Sequence, residues 1–357
     1  MRHLVALALV FVATSAVPAQ GQLFDRFKLD KINRQMAGQV VDFTHNHGAD
    51  RRIYSPILGQ PRDLYVYLPP CYNPAKAYPL IIYFHMAAVD EHWFVGSARL
   101  RELDAMIQSG EFPPVIVAVP DGLIEGENKF HAPHSMFLNG VRGRFEDHVI
   151  SEVLPFMTSR YSIRPEREAR ALLGSSAGGL GASSLALRHP DLFGAVATVG
   201  GLHNLRYDTC SGDYRENFDP LTYRWQENYD PNKLVAKFYL GLTRVRARKF
   251  LEPVFGNDVV AVRGEIAAVN PADILFTAPI SQGRPAIYIN YAGHDNFNFD
   301  AQAESFIWLA RSQGIHVDAE VDPKARHNLL YFRRNHILAY HWLASHLLPP
   351  TSRASIQ

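Results

Sequence analysis

Residues 174–178 read Gly-Ser-Ser-Ala-Gly, a sequence of the form G-x-S-x-G centred on Ser176. The mainly apolar run 169–173 before it is typical of a short buried strand, and residues 177–188 after it are typical of a helix. A serine between such a strand and such a helix predicts a nucleophile elbow, a strained turn that exposes the hydroxyl group. The glycines two residues on either side leave room for that turn. Ser175 lacks glycines at both of these positions, so Ser176 is the predicted nucleophile.

The composition is that of a large globular chain, with 357 residues, 47% hydrophobic residues and a formal net charge of +1. This length suits one large α/β domain or two smaller ones, and the near-neutral charge argues against a nucleic-acid-binding surface. Residues 1–19 predict a cleavable signal peptide, because a basic start precedes a short apolar run and a Val-Pro-Ala cleavage site. That run is shorter than the roughly 20 residues of a membrane span. We therefore expect a secreted or periplasmic protein without a membrane span.

The alternation of apolar runs and helical patterns predicts an α/β fold with a mostly parallel central sheet and helices on both faces. Continuous apolar runs, typical of strands buried on both faces, occur at 79–84 and 115–119, and further strands are predicted at 195–199 and 286–291. Two alternating runs, 52–58 and 63–68, predict a hairpin around a turn at 59–62. Further predicted elements are a helix at 145–160, a helix at about 301–313, a strand at 317–321 and a last helix at about 331–347.

These patterns divide the chain into an N-terminal arm at 20–50 and one α/β domain at 51–350. Residues 203–283 interrupt the alternation of strands and helices and are polar in their first half. We expect this insertion to form a largely helical cap over the functional site.

A serine nucleophile needs a histidine base held by a carboxylate, and in this architecture the chain order is Ser, then Asp or Glu, then His. Asp295 is the predicted acid, because it ends the turn that follows the strand at 286–291. Asp300 is the alternative acid, although its place at the start of the next helix is more typical of a helix cap.

His327 is the predicted base, because it lies in the loop between the strand at 317–321 and the last helix. The histidines within that helix, His336, His341 and His346, are more typical of packing or exposed residues.

The oxyanion of an acyl-transfer intermediate needs backbone N–H donors. One predicted donor is the N–H of Ala177, the residue after the nucleophile. The second donor is expected in the loop after the strand that ends at Phe84, with Met86 or Ala87 as the candidates.

Several other residues are candidates for lining the substrate cleft, namely His131, Asn139, Trp93 and Phe297. The histidine pairs at 45–47 and 131–134 lack a third ligand at a recognised spacing, so we expect no metal or other cofactor. Cys71 and Cys210 are the two cysteines, and they either pair in an oxidising compartment or remain separate thiols.

The motifs of this chain resemble those of the putative esterase family of α/β-hydrolases. That family includes feruloyl and acetyl xylan esterases, esterase D and mycolyltransferases. The resemblance runs from about residue 53 to residue 347 and is most specific at Gly-Ser-Ser-Ala-Gly-Gly (174–179) and His-Pro-Asp-Leu-Phe-Gly (189–194). It implies an α/β-hydrolase fold in which Ser176, Asp295 and His327 are the nucleophile, acid and base. Two residues depart from the family pattern: Cys71 and Met86 stand where the family usually has glycine.

The sequence therefore predicts an exported serine esterase that cleaves carboxylic esters through an acyl-enzyme. Its expected substrates are small-molecule or polysaccharide esters, with feruloyl or acetyl groups on polysaccharide favoured. Two alternatives stay open, namely an acyltransferase to a sugar alcohol and a non-catalytic carbohydrate-binding protein that keeps the fold.

Overall fold

The structure is a computed structural model that describes residues 29–96, 98–126, 132–209, 216–238, 243–277 and 283–355. The predicted signal peptide at 1–19, His131 and Cys210 lie outside these ranges. None of the helices within them is long and apolar enough to cross a membrane.

A central sheet of eight strands organises the described chain. Its strands are β1 (Gln39–Phe43), β2 (Leu64–Leu68), β3 (Leu80–Phe84), β4 (Ile116–Pro120), β5 (Arg170–Ser175), β6 (Ala195–Val199), β7 (Ala286–Ala292) and β8 (Asp318–Asp322). The spatial order is β1-β2-β4-β3-β5-β6-β7-β8, and β2 runs antiparallel to both of its neighbours while the other pairs are parallel. The predicted mostly parallel sheet is confirmed.

Helices cover both faces of this sheet. They are α1 (Ala98–Ser109), α2 (a continuous helix at 145–160 with a π-helical middle), α3 (Ala177–Arg188), α4 (Ala247–Phe255), α5 (Val259–Val269), α6 (Pro271–Thr277), α7 (Phe299–Ser312) and α8 (Leu329–His346). Shorter helical turns lie at 29–34, His92–Val95, Arg167–Ala169, Arg206–Thr209 and Arg353–Ser355. Two apolar cores result: α1 and α8 pack on one face, and α2, α3 and α7 pack on the other.

Short two-stranded ladders lie outside the central sheet. They pair Ile53–Ser55 with Gln60–Arg62, Lys76–Ala77 with Thr351–Ser352, Asn139–Gly140 with Gly143–Arg144, and Leu234–Phe238 with Thr243–Arg246.

The N-terminal region differs from its prediction. Residues 20–50 were expected to form an arm, but β1 lies within them and extends the main sheet by pairing with β2. The hairpin at 52–68 is also shorter than expected, because Gln60–Arg62, predicted as its turn, forms its second strand. The physical reason is the buried Arg62 side chain, whose ion pair with Asp121 (2.7 Å) fixes this segment beside the sheet.

The described part of the insertion at 203–283 contains strands as well as the expected helices. It contains α4, α5 and α6, but it also contains the antiparallel ladder of Leu234–Phe238 with Thr243–Arg246. Val235, Ala236 and Val245 are buried in this ladder, so packing against the domain supports the strands.

Candidate active site

Ser176 lies in a sharp turn between the end of β5 and the start of α3. Its backbone angles are φ 50° and ψ −120°, a conformation that costs a residue with a Cβ about 1–3 kcal/mol. The flanking glycines are required by close approach. A Cβ on Gly174 would lie 2.4 Å from the Gly178 carbonyl oxygen, and one on Gly178 would lie 2.3 Å from the Phe84 carbonyl oxygen.

The structure brings Ser176, His327 and Asp295 into one chain of hydrogen bonds. Ser176 Oγ lies 2.9 Å from His327 Nε2, and His327 Nδ1 lies 2.7 Å from Asp295 Oδ2. The three residues follow β5, β8 and β7, whose carboxyl ends meet at one edge of the sheet. The Asp295 side chain is fully buried, and its second oxygen accepts the N–H of Phe297 at 2.8 Å. A carboxylate held in this way orients the imidazole with Nδ1 as the donor and Nε2 facing the hydroxyl.

Asp300, the alternative acid, has a different position. It is the second residue of α7, whose N-cap is Asn298, and it is Asp295 that contacts His327.

Aromatic rings enclose the imidazole of His327. The ring centroids of Phe297, Phe299 and Phe332 lie 5.1, 5.1 and 4.9 Å from its own, each nearly perpendicular to it. Only 9% of the His327 side chain is exposed. These contacts restrict the rotation of the ring and keep Nε2 aimed at Ser176. Phe332 was not predicted from the sequence, although its place in the first turns of the helix after His327 was a usable signal.

The predicted oxyanion donors lie on two segments that touch each other. The Ala177 N–H is free of an intrahelical partner because Ala177 is the first residue of α3. Phe84 and His85, which precede Met86 and Ala87, contact Gly178 in the same helix through their carbonyl oxygens. The side chain of Met86 is buried among the apolar residues of the α1 and α8 face. Ala88, with φ 67°, is the residue of this loop that adopts a left-handed backbone.

His85 fixes the backbone of this loop. Its Nε2 accepts the N–H of Gly122 at 2.8 Å, so its Nδ1 carries the proton and donates to the Met86 carbonyl at 3.0 Å. Because a peptide is planar and trans, holding the Met86 carbonyl also fixes the direction of the Ala87 N–H. His85 was not among the residues predicted to contribute to the site.

The remaining residues predicted to line the cleft differ in whether they lie beside the Ser176 site. Phe297 lies beside His327, as described above. Trp93 lies under the guanidinium of Arg99, which is 3.5 Å from its ring centroid, so one face of the indole is occupied. Asn139 is held locally, because its amide nitrogen donates to the Asp147 carboxylate at 3.0 Å and its oxygen accepts the Asp147 N–H. His131 lies outside the described residues.

The described histidines of the two sequence pairs, at 45–47 and 131–134, each have a polar partner of their own. His45 contacts Asp63 at 3.0 Å, and His47 Nε2 lies 2.7 Å from the hydroxyl of Tyr65. His134 accepts the N–H of Met136 at 2.8 Å through Nδ1, and burial lowers its pKa well below the usual range.

Cys71 is exposed and has φ 55°, a backbone conformation that glycine adopts more easily than other residues. A disulfide with Cys210 and two separate thiols both stay open as predictions, since Cys210 lies outside the described residues.

The insertion also reaches the site. Phe250 of α4 packs edge-on against Phe297, with ring centroids 5.8 Å apart. Phe297 therefore lies between Phe250 and the imidazole of His327 in a series of aromatic contacts. Sequence reasoning placed a cap over the site but did not identify this residue.

Comparison with known proteins places these features in a family. The family model described as "Putative esterase" matches residues 55–250. The chain is 27% identical over 150 residues to the uncharacterized protein YjcH of Bacillus subtilis, and this match covers 41% of the chain and 58% of YjcH. It is 29% identical over 162 residues to the esterase Rv1288 of Mycobacterium tuberculosis, a match that covers 44% of the chain and 33% of Rv1288. The chain thus spans less than two thirds of the length of these relatives.

A solved structure of a ferulic acid esterase superposes with a TM-score of 0.63 at 18% identity, covering 88% of this chain and 100% of that one. The predicted α/β-hydrolase fold is confirmed by this similarity together with the observed sheet.

Proposed function

Because the chain belongs to the putative esterase family, we propose that it is a serine esterase that hydrolyses carboxylic esters. The observation that carries this proposal is the continuous hydrogen-bond chain from Ser176 Oγ through His327 to Asp295. In this proposal Ser176 is the nucleophile, His327 the general base and acid, and Asp295 the carboxylate that orients the imidazole.

The proposed reaction begins with attack of Ser176 Oγ on the ester carbonyl carbon. His327 Nε2 takes the hydroxyl proton during this attack and returns it to the departing alcohol oxygen. Water then attacks the acyl-enzyme with the same imidazole as base, which releases the acid and restores the serine.

The negative oxygen of each tetrahedral intermediate needs fixed donors. The proposed donors are the N–H of Ala177, at the positive end of the α3 dipole, and an N–H of Met86 or Ala87. The peptide held by His85 supports Ala87 in particular, since a donor is useful only if its direction is fixed before the reaction.

For the substrate, we propose an ester of an aromatic or short acyl group, with feruloyl or acetyl groups on polysaccharide as the leading candidates. Phe297 beside His327, and Phe250 packed against Phe297, support an aromatic acyl group. Export of the enzyme is part of the proposal and depends on the sequence of residues 1–19.

The test compares the wild-type protein with Ser176→Ala on p-nitrophenyl acetate and methyl ferulate. We expect the substitution to lower kcat by at least about 10³-fold on both esters. Ser184→Ala is the matched control. Ser184 is a buried serine of α3, the helix that follows Ser176, and its hydroxyl has no hydrogen-bond partner within the described structure. Its rates should stay within about twofold of the wild type. Equal rates for the wild type and Ser176→Ala would refute the proposal.

A further inference from the structure

A cleft lined by arginines lies between the first turns of α1 and α8. Its volume is about 350 Å³, and its lining residues are Trp93, Ala98, Arg99, Arg101, Leu329 and Arg333. A cleft of this size accommodates a small organic group.

The cleft is at the same edge of the sheet as the Ser176 site. α1 and α8 follow β3 and β8, and a helix that follows a parallel strand begins near the carboxyl end of that strand. Leu329 is two residues beyond His327, so their Cα atoms are at most about 7 Å apart. On the other side, the ring of His336 bridges Ser175 and Arg99, with contacts of 2.9 and 3.3 Å. The cleft and the proposed site of acyl transfer are therefore at the same edge of the sheet, joined through the segment from His327 to Leu329.

The positive charges of the cleft lie near one another and near the start of two helices. Arg99 and Arg101 are in the first turn of α1, where the helix dipole disfavours positive charge, and Arg333 is in the second turn of α8. Burial lowers the pKa of Arg99, and the nearby charge of Arg333 lowers it further. Glu102 offsets part of this charge, since it acts on Arg99 in the opposite direction.

Arg101 is half-buried and Arg333 is exposed, so both can reach an anion that enters the cleft from solvent. In the part of the chain that the structure describes, neither forms an ion pair with a carboxylate. Guanidinium groups in this arrangement offer forked donors to the oxygens of a carboxylate or phosphate. Trp93, held in place by Arg99, supplies one apolar wall.

We propose that this cleft binds a carboxylate or phosphate group carried by the substrate, so that the enzyme prefers anionic esters. The inference rests on the proposed function and specifies its substrate class. An anion bound here neutralises the neighbouring arginines while the ester reaches Ser176.

The test uses two esters of nearly equal shape, 4-nitrophenyl pentanoate and the mono-4-nitrophenyl ester of glutaric acid, which replaces the terminal methyl group with a carboxylate. The measured quantity is the ratio of kcat/KM for the anionic ester to kcat/KM for the neutral ester. We expect this ratio to fall about tenfold in Arg333→Gln and in Arg101→Gln, as for the loss of one charge-assisted hydrogen bond. Arg334→Gln is the matched control, since Arg334 is an exposed neighbour on α8 that does not line the cleft.

An unchanged ratio in both cleft variants, or an equal fall in Arg334→Gln, would overturn the inference. Failure of the proposed function gives a different result, because the neutral ester would then not be hydrolysed at all. In that case the binding of monomethyl glutarate, measured by calorimetry, tests the proposed anion-binding cleft by itself. Binding that is lost in Arg333→Gln supports the cleft, and absence of binding, or binding that Arg333→Gln leaves unchanged, refutes it.

Discussion

Ser176 holds a left-handed backbone because both of its peptide groups are engaged. Its N–H donates to the Val199 carbonyl at 3.1 Å, and its carbonyl accepts the N–H of Gly179 at 2.8 Å. The strain is therefore maintained by β6 on one side and by α3 on the other. The result is a hydroxyl that points away from the sheet toward His327.

The need for glycine at positions 174 and 178 was predictable from the sequence, but the atoms that impose it were not. For Gly178 these atoms are the carbonyl oxygens of Phe84 and His85, on a segment far away in the chain. The helix after the nucleophile thus packs directly against the loop that carries the proposed oxyanion donors. This contact arises only when β3 and β5 become neighbours in the sheet.

Gly178→Ala tests this contact. The new Cβ would lie 2.3 Å from the Phe84 carbonyl oxygen and 2.5 Å from that of His85, so the loop must move. We expect kcat on p-nitrophenyl acetate to fall about 10²-fold, as for the loss of an oxyanion donor. We also expect the free energy of unfolding to fall by about 1–3 kcal/mol, as measured by urea denaturation.

Gly264→Ala is the control for the effect of a methyl group on a helical glycine. Gly264 lies in α5, and apart from its chain neighbours and the nearby backbone of its own helix a Cβ there meets no described atom within 4 Å. This variant should keep wild-type kcat and gain about 0.5–1 kcal/mol of stability from helix propensity. A kcat for Gly178→Ala within about twofold of the wild type would contradict the proposed packing of helix against loop.

At the scale of elements, the insertion contributes to the site through α4. Phe250 is partly buried and contacts Phe297, which in turn contacts His327. Such a series of edge-on rings provides an apolar wall for an aromatic acyl group, whereas an acetyl group is too small to need it. The insertion should therefore affect the choice of acyl group more than the chemical step.

Phe250→Ala tests this role of the insertion. We expect KM for methyl ferulate to rise about three- to tenfold, as for the loss of one aromatic contact of about 0.5–1.5 kcal/mol. The value of kcat/KM for p-nitrophenyl acetate should stay within about twofold. Steady-state kinetics on the two esters measure both effects.

Phe276→Ala is the matched control, because Phe276 lies on α6 of the same insertion and is 57% exposed. It should change neither kinetic constant. An equal loss of activity on both esters in Phe250→Ala would indicate a structural role for this side chain.

The elements that the sequence predicted well are those with a strong local signal. β3 and β4 are continuous apolar runs, β6 and β7 are mainly apolar, and such segments are stable mainly as strands buried on both faces of a sheet. β1 and the strand Gln60–Arg62 were missed because their stability comes from partners elsewhere. Gln60–Arg62 contains a proline and an arginine, and its place depends on the buried ion pair of Arg62 with Asp121.

At the scale of the whole molecule, the candidate site is assembled from the ends of β5, β7 and β8. Its three residues could be predicted because parallel topology places all these ends at one edge, so chain order restricts the choice. The arginine cleft and the full aromatic enclosure of His327 could not be predicted, because each joins residues from several elements. Among the enclosing rings Phe297 was a candidate from the sequence, whereas Phe332 was not. Phe250 and Arg101, for example, have no sequence signal that separates them from ordinary packing or surface residues.

The fold also buries histidines that stay neutral. His203 and His336 are fully buried, and burial lowers the pKa of each to about 3 from the usual 6.5. Between these two pH values the unfolded chain binds protons that the folded protein does not. The free energy of unfolding should therefore decrease as the pH falls below about 6.5, by about 1.4 kcal/mol per pH unit for each such histidine.

His203→Asn tests this linkage at a position away from the proposed triad. His203 contacts the hydroxyl of Thr198 at 3.1 Å, and asparagine keeps a polar group there without a proton to gain. We expect the slope of unfolding free energy against pH, measured by urea denaturation between about pH 6 and about pH 4, to decrease by about 1.4 kcal/mol per pH unit. His341→Asn, at an exposed position of α8, should leave the slope unchanged. A slope in His203→Asn equal to that of the wild type would mean that His203 gains a proton in the folded state, against the burial that surrounds it on all sides.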